Sequence, residues 1–424
     1  MGKQIFKYTI VFLGGVFLLA GMLVLCAMIP QSYIRENVKI SGEMLCKGEL
    51  FAKRIAVVES SKIDRYADSI LLGIAYSYDN GHPLKAVMES KYYHTDIHNE
   101  NENLLTAVTK HREGNQQYLR YWHGSNIIVR PLLVICNIKQ IYMINGVVLA
   151  LLCVMLFLQL YWKKAWIPMI GMALGLIMTS VWFVPLSLEY TWTYLLMLVL
   201  SMIGIHLICC KHYQQIGVFF LVSGMVTNFF DFLTTETITV TVPLLLMLWM
   251  AEQKNQQNEK AAFHFAGKNL LLWGIGYTGM WMMKWLIASI VLSENVLPYV
   301  VEHVEERIGG NIGVDSNGYI LGAIWNNIKC LFPFDYGTIG AILGTFLVLY
   351  TIYLAYVYHC ERVNGKRILL YVLIGFIPYI RYIVLHNHSY LHCFFTYRAQ
   401  ITVILVVILI LEQLTGGSWL RRKR

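Results

Sequence analysis

Two aspartates four residues apart, Asp64 and Asp68, are the first candidates for acid–base chemistry in this chain. The apolar pattern over residues 59–77 predicts a helix that begins at a cap formed by Ser60 or Ser61. Both carboxylates would then face the same side of that helix, one turn apart. Neighbouring carboxylates raise each other's pKa, which suits a general base, so either aspartate is a candidate catalytic residue. The alternative is the solvated polar face of an ordinary amphipathic helix.

Three ionisable residues fall inside apolar segments or at their ends: Asp231, Lys284 and Arg381. A charge in the hydrocarbon region of a membrane is costly, so such residues are functional candidates by default. We expect Lys284 and Arg381 to bind a substrate phosphate, and Asp231 to belong to the same substrate site. The alternatives are snorkelling of either cation to the membrane surface and a structural ion pair between Lys284 and Asp231.

The segment 386–398 combines histidines, aromatic residues and a terminal arginine. We expect it to recognise phosphate or hydroxyl groups, with Arg398 as a bidentate clamp. The other candidate substrate ligands in the segment are His388, Tyr390 and His392. The histidine spacing also suits two ligands of a divalent metal, but no fourth ligand is evident. The nine cysteines show neither zinc-site nor disulfide spacing. The sequence therefore predicts no cofactor, with a metal as the less favoured alternative.

Ten apolar segments must position these residues, and each is a candidate membrane helix. Hydrophobic residues make up 57% of the chain and charged residues 14%, which a water-soluble domain could not accommodate. The first segment is longer than a signal-peptide core and lacks a small-residue cleavage site, which indicates an uncleaved anchor. The sequence predicts an all-α polytopic membrane protein. Its spans are 8–29, 142–162, 165–182, 191–210, 215–230, 238–252, 268–293, 337–359, 367–385 and 399–414.

Among the short connectors, lysine and arginine residues are concentrated in every second one, and they also form the tail 421–424. Cationic connectors include Lys163 with Lys164, and Arg362 with its neighbours, whereas the connector 386–397 carries none. By the positive-inside rule, both termini are predicted to be cytoplasmic, and the candidate site residues share one extracytoplasmic layer. The net charge of +9 is therefore a topology signal and an attraction to anionic lipid rather than a nucleic-acid footprint.

The segment 30–141 is the largest part of the chain outside the predicted spans. We expect two amphipathic helices, one in 59–77 and one lying in the membrane interface over 118–141, around a mobile polar middle at 79–117. The predicted regions are 1–141, with the first span and this segment; 142–293, with helices 2 to 7; 294–336, a second extracytoplasmic segment; and 337–424, with helices 8 to 10 and a basic tail.

This organisation resembles the C-type polytopic membrane glycosyltransferases. The likeness covers most of the chain, and local strings are similar to those of bacterial membrane proteins loosely grouped with that class. These strings are RYWHG (120–124), RPLL (130–133), NFFDFLT (228–234) before VPLLL, and NHSYLHCFFTYR (387–398). The resemblance implies a carboxylate role for Asp64 or Asp68, and a phosphate role for Lys284, Arg381 and Arg398. Many family members place the acid close to the first span as an Asp-Glu pair, whereas here the Asp pair lies further along.

The function implied by the resemblance is transfer of a sugar from a polyprenyl-phosphate donor to a saccharide or glycolipid acceptor of the cell envelope. One base and direct displacement would invert the anomeric carbon. The sequence has no glycine-rich nucleotide-phosphate loop, which fits a lipid-linked donor. A flippase, transporter or polymerase of lipid-linked saccharides is the main alternative, although no internal repeat supports it. A membrane O-acyltransferase using a histidine of 386–392, and a non-catalytic receptor, are further alternatives.

Overall fold

The computed structural model describes residues 2–254, 258–308, 316–361 and 363–417, and it is almost entirely helical. Arg362 and the basic tail 421–424 lie outside the described residues. The first helices are α1 Gly2–Ala27, α2 Gln31–Leu45, α3 Arg65–Ser77, α4 Pro83–Glu89, α5 Glu100–Thr109, α6 Asn126–Leu132, α7 Ile138–Trp162, α8 Trp166–Met178, α9 Thr191–Cys209, α10 Tyr213–Phe230 and α11 Ile238–Gln253. The later ones are α12 Glu259–Leu292, α13 Leu297–Ile308, α14 Ser316–Lys329, α15 Gly337–Val357, α16 Gly365–Gly375, α17 Ile377–Val384, α18 His386–Leu391, α19 Cys393–Thr396 and α20 Ile401–Thr415.

Every apolar segment that was predicted to span the membrane is helical in the structure. Among the described residues, seven helical segments are long and apolar enough to cross a membrane: α1, α7, α9, α12, α15, α16 with α17, and α19 with α20. Helices α8 and α11 are apolar but shorter. The all-α polytopic fold is thus confirmed, whereas the number of ten spans stays a prediction.

Close backbone contact joins α10 to α12. A Cβ atom added at Gly224 would overlap the carbonyl oxygen of Trp273, and one added at Gly276 would overlap that of Leu221. Only glycine permits this approach, which is a common way for helices to pack inside a membrane. A Cβ added at Gly217, near the start of α10, would lie 3.2 Å from Leu272, whereas Asp231, just after α10, accepts from Tyr277 further along α12, so the two helices run parallel.

The other apolar helices pack in consistent directions. Helix α8 lies antiparallel to α20, because a Cβ added at Gly171 would lie 2.7 Å from Leu405 and one added at Gly175 would lie 2.7 Å from Ile401. Helix α1 runs parallel to α10. Helices α9, α11 and α20 run parallel to one another and antiparallel to α1 and α10. These relative directions are the ones that alternate insertion of consecutive segments would give.

The segment 30–141 is folded throughout rather than mobile in its middle. Helices α4 and α5 form within 79–117, and α5 begins at a capping box between Asn99 and Glu102. The amide of Asn101 donates to the carbonyl of Leu45 at 3.0 Å and thereby joins α5 to α2. The prediction of a mobile middle is therefore wrong, because its polar side chains satisfy caps and backbone carbonyls.

The predicted interfacial helix over 118–141 is also wrong. The structure has a short α6 there, and α7 begins at Ile138 behind an Asn137 cap. Trp122 is fully buried, and its Nε1 donates to the carbonyl of Met280 at 2.8 Å. Trp122 thus fastens the segment to α12 instead of facing a lipid surface.

We predict that cysteines introduced at Ile97 and Gln253 are accessible from opposite sides of the membrane. Ile97 is 86% exposed in the large segment, and Gln253 is exposed at the end of α11. A membrane-impermeant maleimide should label Ile97→Cys in intact cells, and Gln253→Cys only after permeabilisation. Labelling is measured above that of the unmodified chain, which retains nine cysteines. Labelling of Gln253→Cys in intact cells would contradict the orientation taken from the positive charges.

Candidate functional site

A polar cavity of about 310 Å³ lies where the chain enters α3 and where α13 and α18 meet. We call it the Asp64 cavity. It lies at the end of the bundle that carries the C-terminal ends of α1 and α10. Tyrosine and glutamine side chains form part of its wall. Its ionisable side chains, tyrosines aside, are Asp64, Arg120, Glu189, His303, Arg307, His388 and His392.

Asp64 is positioned by a short hairpin and by the start of α3. Strand β1 (Phe51–Lys53) pairs antiparallel with β2 (Lys62–Asp64), and Phe51 lies opposite Asp64. The Asp64 carboxylate caps α3 by accepting a hydrogen bond from the Ala67 amide at 2.8 Å. Asp64 itself is therefore the cap, and the expectation of a serine cap is wrong. Burial raises the pKa of Asp64 to about 6.

Asp68 does not line the Asp64 cavity. Its carboxylate accepts hydrogen bonds from the Tyr142 hydroxyl, from the Leu188 amide at 2.7 Å and from the Ser187 hydroxyl at 3.4 Å. Burial raises its pKa to about 8. Asp68 thus ties α3 to α7 and to the connector before α9. The expected sharing of one helix face is wrong, because Asp64 precedes the helix while Asp68 lies in its first turn.

Glu189 is the second carboxyl group of the cavity, and the sequence analysis missed it. It lies after the 3₁₀ helix Val181–Leu186 and two residues before the start of α9. Its Oε2 is buried and accepts no hydrogen bond from the described residues. Burial raises its pKa well above the usual range, and the nearby carboxylate of Asp64 raises it further. Glu189 therefore offers a protonated carboxyl group beside Asp64.

Two arginines supply the positive charge of the cavity. The Arg120 guanidinium lies 4.0 Å from the ring centre of Tyr118, and the Arg307 Nη1 donates to the carbonyl of His303 at 3.1 Å. The buried Nε of each arginine has no hydrogen-bond partner among the described residues. Arg120 opens the RYWHG string, whereas Arg307 lies on α13 in the segment 294–336, where no sequence signal indicated a place in the site.

His388 and His392 form a pair of neutral imidazoles at the cavity wall. Their ring centres are 4.8 Å apart, and the Nδ1 of each is buried without a hydrogen-bond partner among the described residues. Burial, with a smaller contribution from the positive charge of Arg307, lowers the pKa of His392 to about 4. Burial likewise lowers the pKa of His388 well below its usual range. Both rings can therefore donate and accept hydrogen bonds near neutral pH.

Lys284 and Asp231 lie outside the cavity and do not form an ion pair. The Lys284 ammonium donates to the carbonyl oxygens of Val87 at 2.8 Å and Met88 at 3.2 Å, near the end of α4. Asp231 accepts from the backbone that follows α10 and from the Tyr277 hydroxyl at 3.1 Å. Each charge therefore fastens one part of the fold. Lys284 is fully buried, and its ammonium donates to backbone carbonyls rather than lining the Asp64 cavity, where a phosphate could bind.

Arg381 and Arg398, which were also expected to bind phosphate, use their guanidinium groups in hydrogen bonds within the protein. The Arg381 Nε donates to Glu236 Oε1 at 2.8 Å, and its other nitrogens donate to Ser389 and Leu233. The Arg398 side chain donates to two backbone carbonyls and lies between aromatic rings. Tyr390 does not line the cavity either and packs on the ring of Tyr319, 5.0 Å away between centres.

A narrow apolar cleft of about 30 Å³ adjoins the Asp64 cavity. We call it the tryptophan cleft. Arg120, His303 and Arg307 line both spaces. The other residues of the cleft are Tyr121, Leu233, Trp281, Trp285, Val300 and Val304. The cleft lies beside a turn of α12 whose side chains Met282 and Leu286 are exposed. The cleft thus meets the polar cavity at its two arginines and His303.

Comparison of the chain with protein families, with curated proteins and with solved structures gave no match. The chemistry of the site therefore rests on its own geometry. One ionisable carboxylate, one protonated carboxyl group, two arginines and neutral imidazoles surround a space that joins an apolar cleft. Such a set can bind the phosphate of a lipid and take a proton from a hydroxyl group.

We predict that Lys284→Met destabilises the fold by about 1–3 kcal/mol, because two buried carbonyls lose their donor. Unfolding in detergent micelles measures the change. Lys268→Met, on an exposed site of the same helix, is the matched control and should leave stability unchanged.

The changes in the free energy of unfolding caused by Lys284→Met and by Asp231→Asn should add to within about 0.5 kcal/mol in the double variant, because the two side chains share no contact. A larger coupling would contradict the separate roles that we assign to these residues.

Proposed function

We propose that this protein is a membrane glycosyltransferase that moves a sugar from a polyprenyl-phosphate donor to an acceptor hydroxyl in the Asp64 cavity. The observation that carries the proposal is the pair Arg120 and Arg307, which lines both the polar cavity and the tryptophan cleft. A ligand with a phosphate between a polar and an apolar half fits this junction. The proposed active site faces the extracytoplasmic side, as the alternation of connector charges predicts.

The donor phosphate is assigned to the two arginines. A guanidinium presents several N–H groups in a plane and binds phosphate oxygens in a bidentate manner. Their charge also stabilises the phosphate as it leaves, so that no metal ion is required for this role. The polyprenyl chain leaves the phosphate on the side of the tryptophan cleft and follows the exposed apolar side chains of α12 into the lipid.

We assign to Asp64 the role of the base that deprotonates the acceptor hydroxyl. The hydroxyl oxygen of the acceptor attacks the anomeric carbon while the hydroxyl proton passes to the Asp64 carboxylate. The bond between the anomeric carbon and the phosphate oxygen breaks, and polyprenyl phosphate leaves with the bonding electrons. Direct displacement inverts the configuration at the anomeric carbon. Asp64 suits the role because burial holds its pKa near 6, close enough to neutrality for efficient proton transfer.

Glu189 and the imidazoles of His388 and His392 complete the sugar site. A protonated carboxyl group donates one hydrogen bond, which Glu189 can give to a sugar hydroxyl. The two neutral imidazoles present both donors and acceptors, which is the usual requirement for binding a ring of hydroxyl groups. This arrangement leaves Asp64 as the ionised carboxylate of the cavity.

We predict that Asp64→Asn lowers the transfer rate by about 10²–10⁴, because the amide cannot accept the proton. The assay measures release of polyprenyl phosphate from a polyprenyl-phosphate hexose in nanodiscs, with cell-envelope extract as the source of acceptor. Asp96→Asn changes a fully exposed aspartate of the same segment and is the matched control. Asp68→Asn should lower stability more than turnover of the folded enzyme. Normal transfer by Asp64→Asn would exclude Asp64 as the base.

The pH profile supplies a separate prediction for Asp64. The base acts only when ionised, and burial moves its pKa from 3.8 to about 6. The rate should therefore approach its plateau at about pH 7, be half of it near pH 6, and fall about tenfold per pH unit well below that, as for one essential ionisation. An unperturbed aspartate would keep its activity down to about pH 4. A profile with no change between pH 7 and pH 5 would contradict the assignment.

We predict that Arg120→Met and Arg307→Met each weaken binding of decaprenyl phosphate by roughly tenfold to a hundredfold. The estimate takes about 1.5–3 kcal/mol for a hydrogen bond to a charged group. Isothermal titration calorimetry in micelles measures the affinity. Arg54→Met removes an exposed arginine of the same segment and should leave the affinity unchanged. Unchanged binding in both cavity variants would refute the phosphate site.

A further inference from the structure

A second cluster of chemically reactive side chains lies at the opposite end of α9 from the Asp64 cavity. Glu189 lies two residues before the first residue of α9, whereas His206 and Cys210 lie in its last turn and at its C-cap. Residues four positions apart on a helix share a face, so their side chains meet. Lys211 adopts a left-handed conformation with φ of 60°, and the chain reverses there into α10. The reversal brings His212 back beside the other two residues.

The three side chains are close enough to share one ion. Cys210 Sγ lies 3.8 Å from His206 Nδ1, and the rings of His206 and His212 stack with centres 6.3 Å apart. One ligand atom from each residue lies within 4.8 Å of the other two, and all three residues are exposed. Tetrahedral zinc with Zn–N near 2.0 Å and Zn–S near 2.3 Å separates its ligand atoms by roughly 3.3–3.6 Å. Rotation of exposed side chains can close the remaining gap of about 1 Å.

We propose that His206, Cys210 and His212 bind a divalent transition-metal ion, with Zn²⁺ as the best fit. Two imidazoles and a thiolate form a nitrogen and sulfur ligand set, which favours zinc over magnesium or calcium. The thiol proton of Cys210 passes to solvent as the metal–sulfur bond forms, and no electron is transferred. A water molecule completes the fourth position.

The bound ion fastens the reversal between α9 and α10. It joins the last turn of one helix to the residue just before the next, so it stabilises the folded chain by mass action. The site is separate from the Asp64 cavity, and this assignment does not depend on the proposed transferase activity.

Titration of the full-length protein with Co²⁺ in detergent tests the proposal. We expect one equivalent of Co²⁺ to give a thiolate-to-cobalt charge-transfer band with the intense visible bands of tetrahedral cobalt, and Zn²⁺ to remove both. Cys210→Ser should lose the charge-transfer band. The neighbouring Cys209→Ser is the matched control and should retain it. His206→Ala and His212→Ala should weaken binding.

Protection of Cys210 against alkylation gives a readout on the unmodified chain. Zn²⁺ should slow the reaction of this residue with N-ethylmaleimide, and it should also raise the thermal unfolding temperature of the protein. Absence of a cobalt spectrum in the unmodified chain, or a charge-transfer band that persists in Cys210→Ser, would overturn the proposal. So would an alkylation rate of Cys210 that Zn²⁺ does not change.

Discussion

The close backbone contact between α10 and α12 is the constraint on which the rest of the structure depends. Glycines 224 and 276 let the two helices approach until each backbone lies against the other. This approach places Tyr277 within hydrogen-bond distance of Asp231, just beyond the end of α10. Further along α12, the Met280 carbonyl accepts a hydrogen bond from Trp122, and the Lys284 ammonium donates to the carbonyl of Val87 near the end of α4. The large segment therefore lies fixed on α12, and its Arg120 forms a wall of the cavity.

Buried polar groups in this protein serve two different purposes. Lys284, Arg381 and Asp68 direct most of their hydrogen-bonding capacity to backbone or neighbouring side chains, because an unpaired charge in a medium of low dielectric is costly. At the cavity, Glu189 Oε2 and Arg307 Nε are buried and have no hydrogen-bond partner among the described residues, as is also true of some polar atoms elsewhere in the fold. What distinguishes these two side chains is that they line a space in which a ligand or water can complete their hydrogen bonds.

The junction between the cavity and the tryptophan cleft gives the proposed function its chemical logic. A polyprenyl phosphate carries a charged group at one end of a long apolar chain. Its recognition needs cationic groups at the boundary between a polar space and an apolar one, and Arg120 and Arg307 lie at such a boundary. The carboxylate that would activate an acceptor lies on α3, while the arginines belong to other elements. The site is therefore assembled from parts of the chain that are far apart in sequence.

The sequence by itself determined the apolar helices, because a run of apolar residues in lipid must form intrachain hydrogen bonds. It also indicated which polar residues gather at one end of the bundle, and the candidate Asp64 does line the cavity there. It could not decide which charged side chains form hydrogen bonds within the protein. Lys284, Arg381 and Arg398 were expected to bind a substrate phosphate, because the groups that they contact are distant in sequence. Glu189 was missed for the same reason, whereas His206, Cys210 and His212 are close in sequence and were missed because the chain reversal at Lys211 had no clear signal. Sequence spacing governs contacts within one helix, whereas satisfaction of a buried charge depends on groups that only tertiary packing brings together.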